Sequence, residues 1–109
     1  MSVRNTGIVC VLILSFGSPV LAVDEEAAEE LLKVSKCLKC HSVDKKKSGP
    51  TYQEVAAKYK GKPEAEAKLT KHVTEPSKVK VDGKETDHGA AKTRDPAKVK
   101  NLIEWILSR

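Results

Sequence analysis

Aromatic side chains are scarce in this chain of 109 residues and make up only 4% of it. Because large rings fill much of a typical core, a domain this small and this poor in them has a thin apolar interior. A bulky prosthetic group would make up for that deficit. We therefore expect one small domain whose fold depends on more than the burial of its own side chains.

A concentration of charge of one sign is also missing. Charged residues make up 32% of the chain and the formal net charge is +5, but the lysines are interleaved with acids instead of forming an arginine-rich stripe. A nucleic-acid-binding surface needs a dense basic cluster. The charge pattern therefore argues against a nucleic-acid-binding protein.

The N-terminal segment differs in composition from the rest of the chain. An apolar run over residues 7–17 follows a single positive charge, and the small residues Val20 and Ala22 stand at positions −3 and −1 of a secretory cleavage site. We expect a cleaved signal peptide over residues 1–22, a mature domain over 23–109 and a periplasmic location. A retained membrane anchor is the alternative, although the apolar stretch is short and is interrupted by serine, glycine and proline.

Helical periodicity and capping residues predict an all-α mature domain. The expected helices, about four in number, begin near Asp24, Thr51, Pro63 and Asp95. Residues 75–95 show no sustained period, and Asp82-Gly83 within them could form a tight turn. A loop of that length in so small a domain usually has a function.

The motif C-x-x-C-H is formed by Cys37, Cys40 and His41. In an exported chain this spacing is typical of haem c attachment, because two thiols about one helical turn apart can reach the two vinyl groups of a porphyrin. The adjacent imidazole can then bind the iron from below. A disulfide, a redox-active pair and half of a zinc site are the alternatives, but no other cysteine remains for zinc and no βαβ context is present.

The mature chain resembles the small monohaem class I cytochromes c of bacteria. The resemblance covers a helix running into C-x-x-C-H, then "SGPTYQEVAAKYKG", "EAEAKLTKHV", a loop and "LIEWILS". It implies the class I cytochrome c fold, with about four helices wrapped around one covalently bound haem. It also implies that Gly49 and Pro50 pack on the proximal face, that the proline carbonyl accepts a hydrogen bond from His41, and that Trp105 lies near the first helix and the haem edge. An ordinary turn is the other interpretation of Gly49-Pro50.

The sixth iron ligand is where the chain departs from that family. Class I cytochromes c usually supply a methionine from the loop before the last helix, and the only methionine here is Met1. Counting back from Trp105 along the family pattern puts the methionine's place beside His88. We therefore expect His88 to be the distal ligand. His72, a lysine such as Lys92, and an open or water-bound iron are the alternatives.

These features predict a carrier of single electrons between larger redox proteins, and no enzyme. Two nitrogen ligands lack the thioether that raises the potential of His/Met cytochromes, so a comparatively low potential is expected. A protein that binds or senses NO, CO or O2 through a labile distal position is the alternative. A small peroxidase is a weaker one, because no further acid or arginine motif supports it.

Partners are expected to be redox proteins, possibly with acidic surfaces. Lys45, Lys46 and Lys47 follow the haem motif and could attract such a partner over long range, although a charged run is as often a solvated loop. No nucleic-acid partner and no membrane anchor after processing are expected. The sequence leaves the oligomeric state open.

Overall fold

Four α-helices and one β-hairpin follow one another along residues 22–109, the part of the chain that the computed structural model describes. The helices are α1 (Glu25–Val34), α2 (Tyr52–Tyr59), α3 (Ala65–Thr74) and α4 (Pro96–Leu107). A short 3₁₀ turn, Cys37–Lys39, lies between α1 and α2, and the strands β1 (Ser77–Val81) and β2 (Lys84–His88) lie between α3 and α4. The four predicted helices are confirmed. The predicted signal peptide lies outside the described residues, apart from Ala22.

Three of the helices begin at the residues that the capping pattern predicts. The Asp24 carboxylate accepts a hydrogen bond from the Ala27 amide, at 3.0 Å, at the start of α1. Thr51 and Glu54 form a reciprocal capping box at the start of α2. Asp95 caps α4, whose first position is a proline. Helix α3 has no side-chain cap and begins at Ala65, two residues after the expected Pro63.

Helix α4 lies at the centre of the core and packs against the other three helices. Its large apolar residues recur at helical spacing, and five of them are buried: Val99, Leu102, Ile103, Trp105 and Ile106. Leu32 of α1, Tyr52 of α2 and Leu69 of α3 meet this face. Because α4 supplies the common surface, it fixes where the chain segments between the helices can lie. None of the helices described is long and apolar enough to cross a membrane.

The segment expected to be an aperiodic loop contains an antiparallel hairpin. Asp82 and Gly83 both have positive φ, at 50° and 76°, which is the conformation of a two-residue hairpin turn. The register pairs Ser77 with His88 and Val79 with Thr86. Since paired residues share one face of a hairpin, His88 lies on the same side as the half-buried Val79. The hairpin thus brings His88 to the apolar side of the domain.

Candidate haem-binding site

A mostly apolar cavity of about 200 Å³ lies between the C-x-x-C-H motif, α3 and the hairpin. Its apolar wall comes from all parts of the fold and includes Leu32, Leu69, Val73, Val79, Leu102 and Ile106. Both cysteines of the motif and all three histidines of the chain line it as well. The cavity therefore combines an apolar interior with every nitrogen ligand expected from the sequence.

The cysteines are presented by a tight turn. The 3₁₀ turn starts after Lys36, which has a positive φ of 60°, and the amides of Cys40 and His41 both donate to the carbonyl of Cys37. This folding places both side chains beside the cavity. Both are free thiols, Cys37 half-buried and Cys40 exposed. Burial raises the pKa of the Cys37 thiol, which keeps it protonated at neutral pH.

His41 is held in one tautomer and one orientation. Its Nδ1 donates a hydrogen bond of 2.7 Å to the carbonyl oxygen of Pro50, which leaves Nε2 as the nitrogen that can bind a metal. Its ring also stacks on Tyr52 with centroids 5.2 Å apart. Gly49 reaches this ring closely, because a Cβ added there would lie 2.7 Å from Cε1 of His41. The structure thus has the Pro50 contact that the family resemblance implies.

His88, the last residue of β2, lies across the cavity from His41. The two ring centroids are 6.3 Å apart and the planes differ by 71°. Two imidazoles on opposite sides of one metal, with metal–nitrogen bonds of about 2 Å, have centroids roughly 6 Å apart. Nδ1 of His88 is buried and has no hydrogen-bond partner within residues 22–109. The spacing fits two ligands of one metal, and the unsatisfied Nδ1 leaves the ring without a hydrogen bond that would fix its rotation.

The sequence analysis named His72 only as an alternative ligand and did not predict that it would contact His88. This residue of α3 lies with its ring centroid 3.9 Å from that of His88, at an interplanar angle of 34°. Burial lowers the pKa of both residues, and positive charge on neighbouring histidines lowers it further. Both imidazoles are therefore neutral at pH 7, which is the form that binds metals.

Trp105 does not line the cavity. Its ring is buried against Tyr52, edge to face at 5.5 Å, and its Nε1 donates a hydrogen bond of 2.6 Å to Glu25 of α1. The expected position near the first helix is thus observed, but the tryptophan reaches His41 only through Tyr52. Tyr52 was not among the predicted site residues, although it follows Gly49-Pro50 closely in the sequence as the first residue of α2.

The lysines have different surroundings. Lys80 of β1 lines the cavity, whereas Lys92 does not. The backbone amide of Lys92 donates a hydrogen bond to the side chain of Ser35. In the run after the motif, Lys46 pairs with Glu54 at 3.3 Å and Lys47 donates to the carbonyl of Leu38 at 2.8 Å. Leu38 is 36% exposed, more than any other leucine within residues 22–109. A basic and partly apolar surface therefore surrounds the exposed cysteine.

Comparison with known proteins identifies the class of site. The family model for cytochrome c matches residues 25–109. Cytochrome c-551 of Pseudomonas denitrificans is 38% identical over 80 residues, which are 73% of this chain and 94% of the relative. Cytochrome c-551 of Stutzerimonas stutzeri is 41% identical over 90 residues, 83% of this chain and 81% of the relative.

Solved structures agree with these sequence matches. The class 1 cytochrome MtoD of Sideroxydans lithotrophicus ES-1 superposes with a TM-score of 0.71 and 46% identity, over 80% of this chain and 97% of that one. Cytochrome c552 of Nitrosomonas europaea superposes with a TM-score of 0.58 and 29% identity, over 73% of this chain and 96% of that one. The two thiols, the oriented His41 and the apolar cavity suit the covalent c-type haem of such proteins. The chain therefore belongs to the class I cytochrome c family, whose members carry one covalently attached haem.

Proposed function

We propose that this protein is a periplasmic carrier of single electrons whose haem iron has two histidine ligands. Cys37 and Cys40 hold the haem through thioether bonds, His41 is the proximal ligand and His88 is the distal one. The proposal is carried by one observation, the 6.3 Å separation of the His41 and His88 rings across the cavity that both cysteines line. Cytochromes c are electron carriers, so the family supports this role over an enzymatic one.

The haem supplies a one-electron couple, and the protein's residues set its ligands and surroundings. The Pro50 carbonyl accepts a hydrogen bond from the Nδ1–H of His41, which raises the basicity of the other ring nitrogen, Nε2. Nitrogen ligands on both sides lack the thioether of a His/Met pair. The potential is therefore low for the family. The apolar wall excludes water from the ligand atoms.

The experiment that tests the ligand pair compares absorption spectra of the wild type and two variants, oxidised and reduced. The wild type should be low-spin in both states, without the charge-transfer band of a methionine ligand. His88→Ala should become high-spin, because the distal nitrogen is lost, whereas His72→Ala should stay low-spin. A low-spin His88→Ala protein would overturn the assignment of His88. A high-spin His72→Ala protein would move the ligand to α3.

A gas-binding protein is the second candidate, and the hairpin is the observation in its favour. His88 lies on a two-stranded sheet that pairs only with itself among the described elements. A ligand on so small an element can detach more readily than one on a packed helix. Rapid CO binding to the reduced wild type at a rate proportional to CO concentration would favour gas binding, whereas a slow, saturating rate is expected for a carrier with His88 bound.

Export and processing form a separate part of the proposal. A signal peptide ending at Ala22 would deliver the chain to the compartment in which haem c is attached. The holoprotein should be found in the periplasmic fraction with a mass equal to residues 23–109 plus one haem. The control is the Cys37→Ser/Cys40→Ser double variant, which should have the mass of the processed chain alone. A wild-type mass that still includes residues 1–22 would show that the segment is retained as an anchor.

A further inference from the structure

The imidazole of His72 lies against the imidazole of His88. The ring centroids are 3.9 Å apart and the planes are inclined by 34°, so the two rings are in contact at a tilt. Helix α3 is anchored in the core by Leu69, three residues before His72, and by the half-buried Val73. The side chain of His72 therefore projects from a firmly packed element, whereas His88 projects from the hairpin.

His41 and His88 are oriented by different means. A metal-bound histidine usually donates its second ring N–H to an oxygen acceptor, which fixes the ring's rotation. His41 has that acceptor in the carbonyl of Pro50. Nδ1 of His88 has no such partner among the described residues, although it is buried. The ring of His88 needs another contact to fix its orientation, and the stacked ring of His72 is the contact that α3 provides.

A backbone hydrogen bond holds the same two segments together close to the stacked rings. The amide of Ala91, just after the hairpin, donates a hydrogen bond of 2.7 Å to the carbonyl of Val73. Gly89 follows His88 directly. A Cβ added to Gly89 would have no heavy atom within 4 Å, so the space beside this residue is open. The Ala91 hydrogen bond and the contact between the two imidazole rings thus both join the end of β2 to α3.

We propose that His72 is a positioning residue that holds His88 on the iron by ring stacking. The proposal rests on His88 being the distal ligand and adds a role for α3. The contact between the rings restricts the side-chain torsions of His88. It also slows the movement of the hairpin that would carry His88 away from the iron. Because a stacked aromatic pair needs only a flat ring, the role does not require the nitrogens of His72. Phenylalanine at position 72 should therefore replace histidine, and alanine should not.

The test uses the holoprotein with His72→Ala, His72→Phe and, as a control, Lys71→Ala on the exposed side of the same helix. At saturating CO, the binding rate of the reduced protein reports how fast His88 leaves the iron. This rate should rise by about two- to tenfold in His72→Ala, the range that the loss of one aromatic pair allows. His72→Phe and Lys71→Ala should stay within a factor of about two of the wild type.

Electron paramagnetic resonance of the oxidised protein gives a second measurement, because its g values depend on the angle between the two imidazole planes. They should shift in His72→Ala and return towards the wild type in His72→Phe, with all proteins low-spin. Unchanged rates and g values in His72→Ala would overturn the proposal. So would a His72→Phe protein that behaves like His72→Ala. These outcomes are separate from a failure of the ligand assignment, which a low-spin His88→Ala protein would reveal.

Discussion

Gly49 occupies the position in the site where a single methyl group has the least room. A Cβ there would lie 2.7 Å from Cε1 and 2.9 Å from Nδ1 of His41, and 3.0 Å from the carbonyl oxygen of Cys40. These atoms cannot move apart easily, because Nδ1 is bonded to Pro50 and the Gly49 amide itself donates to Cys40 at 2.8 Å. The glycine therefore matters for its size, since it lets the turn pass directly over the imidazole.

Gly49→Ala should displace the His41 ring and lengthen its hydrogen bond to Pro50. We expect a loss of about 1–3 kcal/mol in the free energy of unfolding, as for other overpacked sites, together with a changed reduction potential. Denaturant unfolding and potentiometry of the holoprotein measure the two effects. Gly89→Ala is the matched control, because a Cβ at Gly89 has no heavy atom within 4 Å. Equal behaviour of the two variants would show that the His41 ring has room to yield.

At the scale of secondary-structure elements, polar contacts at the edge of the buried core join helices α1 and α4. Glu25 at the start of α1 accepts hydrogen bonds from Nε1 of Trp105 and from the guanidinium of Arg109, which also lies over the Trp105 ring. At the same end of α1, the Asn101 side chain bonds to both the amide and the carbonyl of Asp24. The first and last helices of the described range are thus locked in register by contacts about 80 residues apart in sequence.

Glu25→Ala should destabilise the holoprotein by removing the acceptor of the Trp105 N–H. The indole is buried, so the lost hydrogen bond should cost about 1–3 kcal/mol, whereas the partly exposed pair with Arg109 contributes little. Thermal or denaturant unfolding measures the change. Glu26→Ala, on the neighbouring exposed position of the first turn, is the control and should cost less than about 0.5 kcal/mol. If both variants lose the same stability, the Trp105 contact is not what joins the helices.

At the scale of the whole molecule, the charged surface near the exposed Cys40 is the feature that can influence partner binding. The net charge is +5, and Lys47, in the lysine run after the motif, lies beside the partly exposed Leu38. Lys46 is paired with Glu54, so its charge is largely compensated. Lys45 and Lys47 keep their charge towards solvent, with Lys47 held in place by the Leu38 carbonyl. A rim of this kind can attract an acidic partner towards the haem edge.

Lys45→Gln/Lys47→Gln should slow electron transfer to an acidic redox protein by about three- to tenfold at low salt, because long-range attraction raises the encounter rate. The difference should shrink at high ionic strength, where exposed charges are screened. Stopped-flow kinetics at several salt concentrations measures it. Lys60→Gln/Lys62→Gln makes the same change in net charge beside the groove near Arg109. Equal slowing by both double variants would mean that net charge matters and that this rim does not.

The sequence by itself determined what depends on neighbours within a few residues. The caps at Asp24, Thr51 and Asp95 were readable because a capping side chain bonds to amides two or three positions away. The C-x-x-C-H motif could be recognised because both thiols and the imidazole of His41 lie within five consecutive residues. The apolar spacing of α4 likewise predicted its buried face. These signals were sufficient for the fold class and the cofactor.

The tertiary structure alone decided which distant residues meet at the cavity. The hairpin was not predicted as two strands, because β1 has only two alternating valines and β2 has no apolar residue at all. His72 and His88 are sixteen positions apart, and only the packing of α3 on α4 together with the register of the hairpin brings their rings to 3.9 Å. Trp105 likewise bonds to Glu25 rather than lining the cavity. Such contacts depend on how elements pack, which local sequence patterns do not encode.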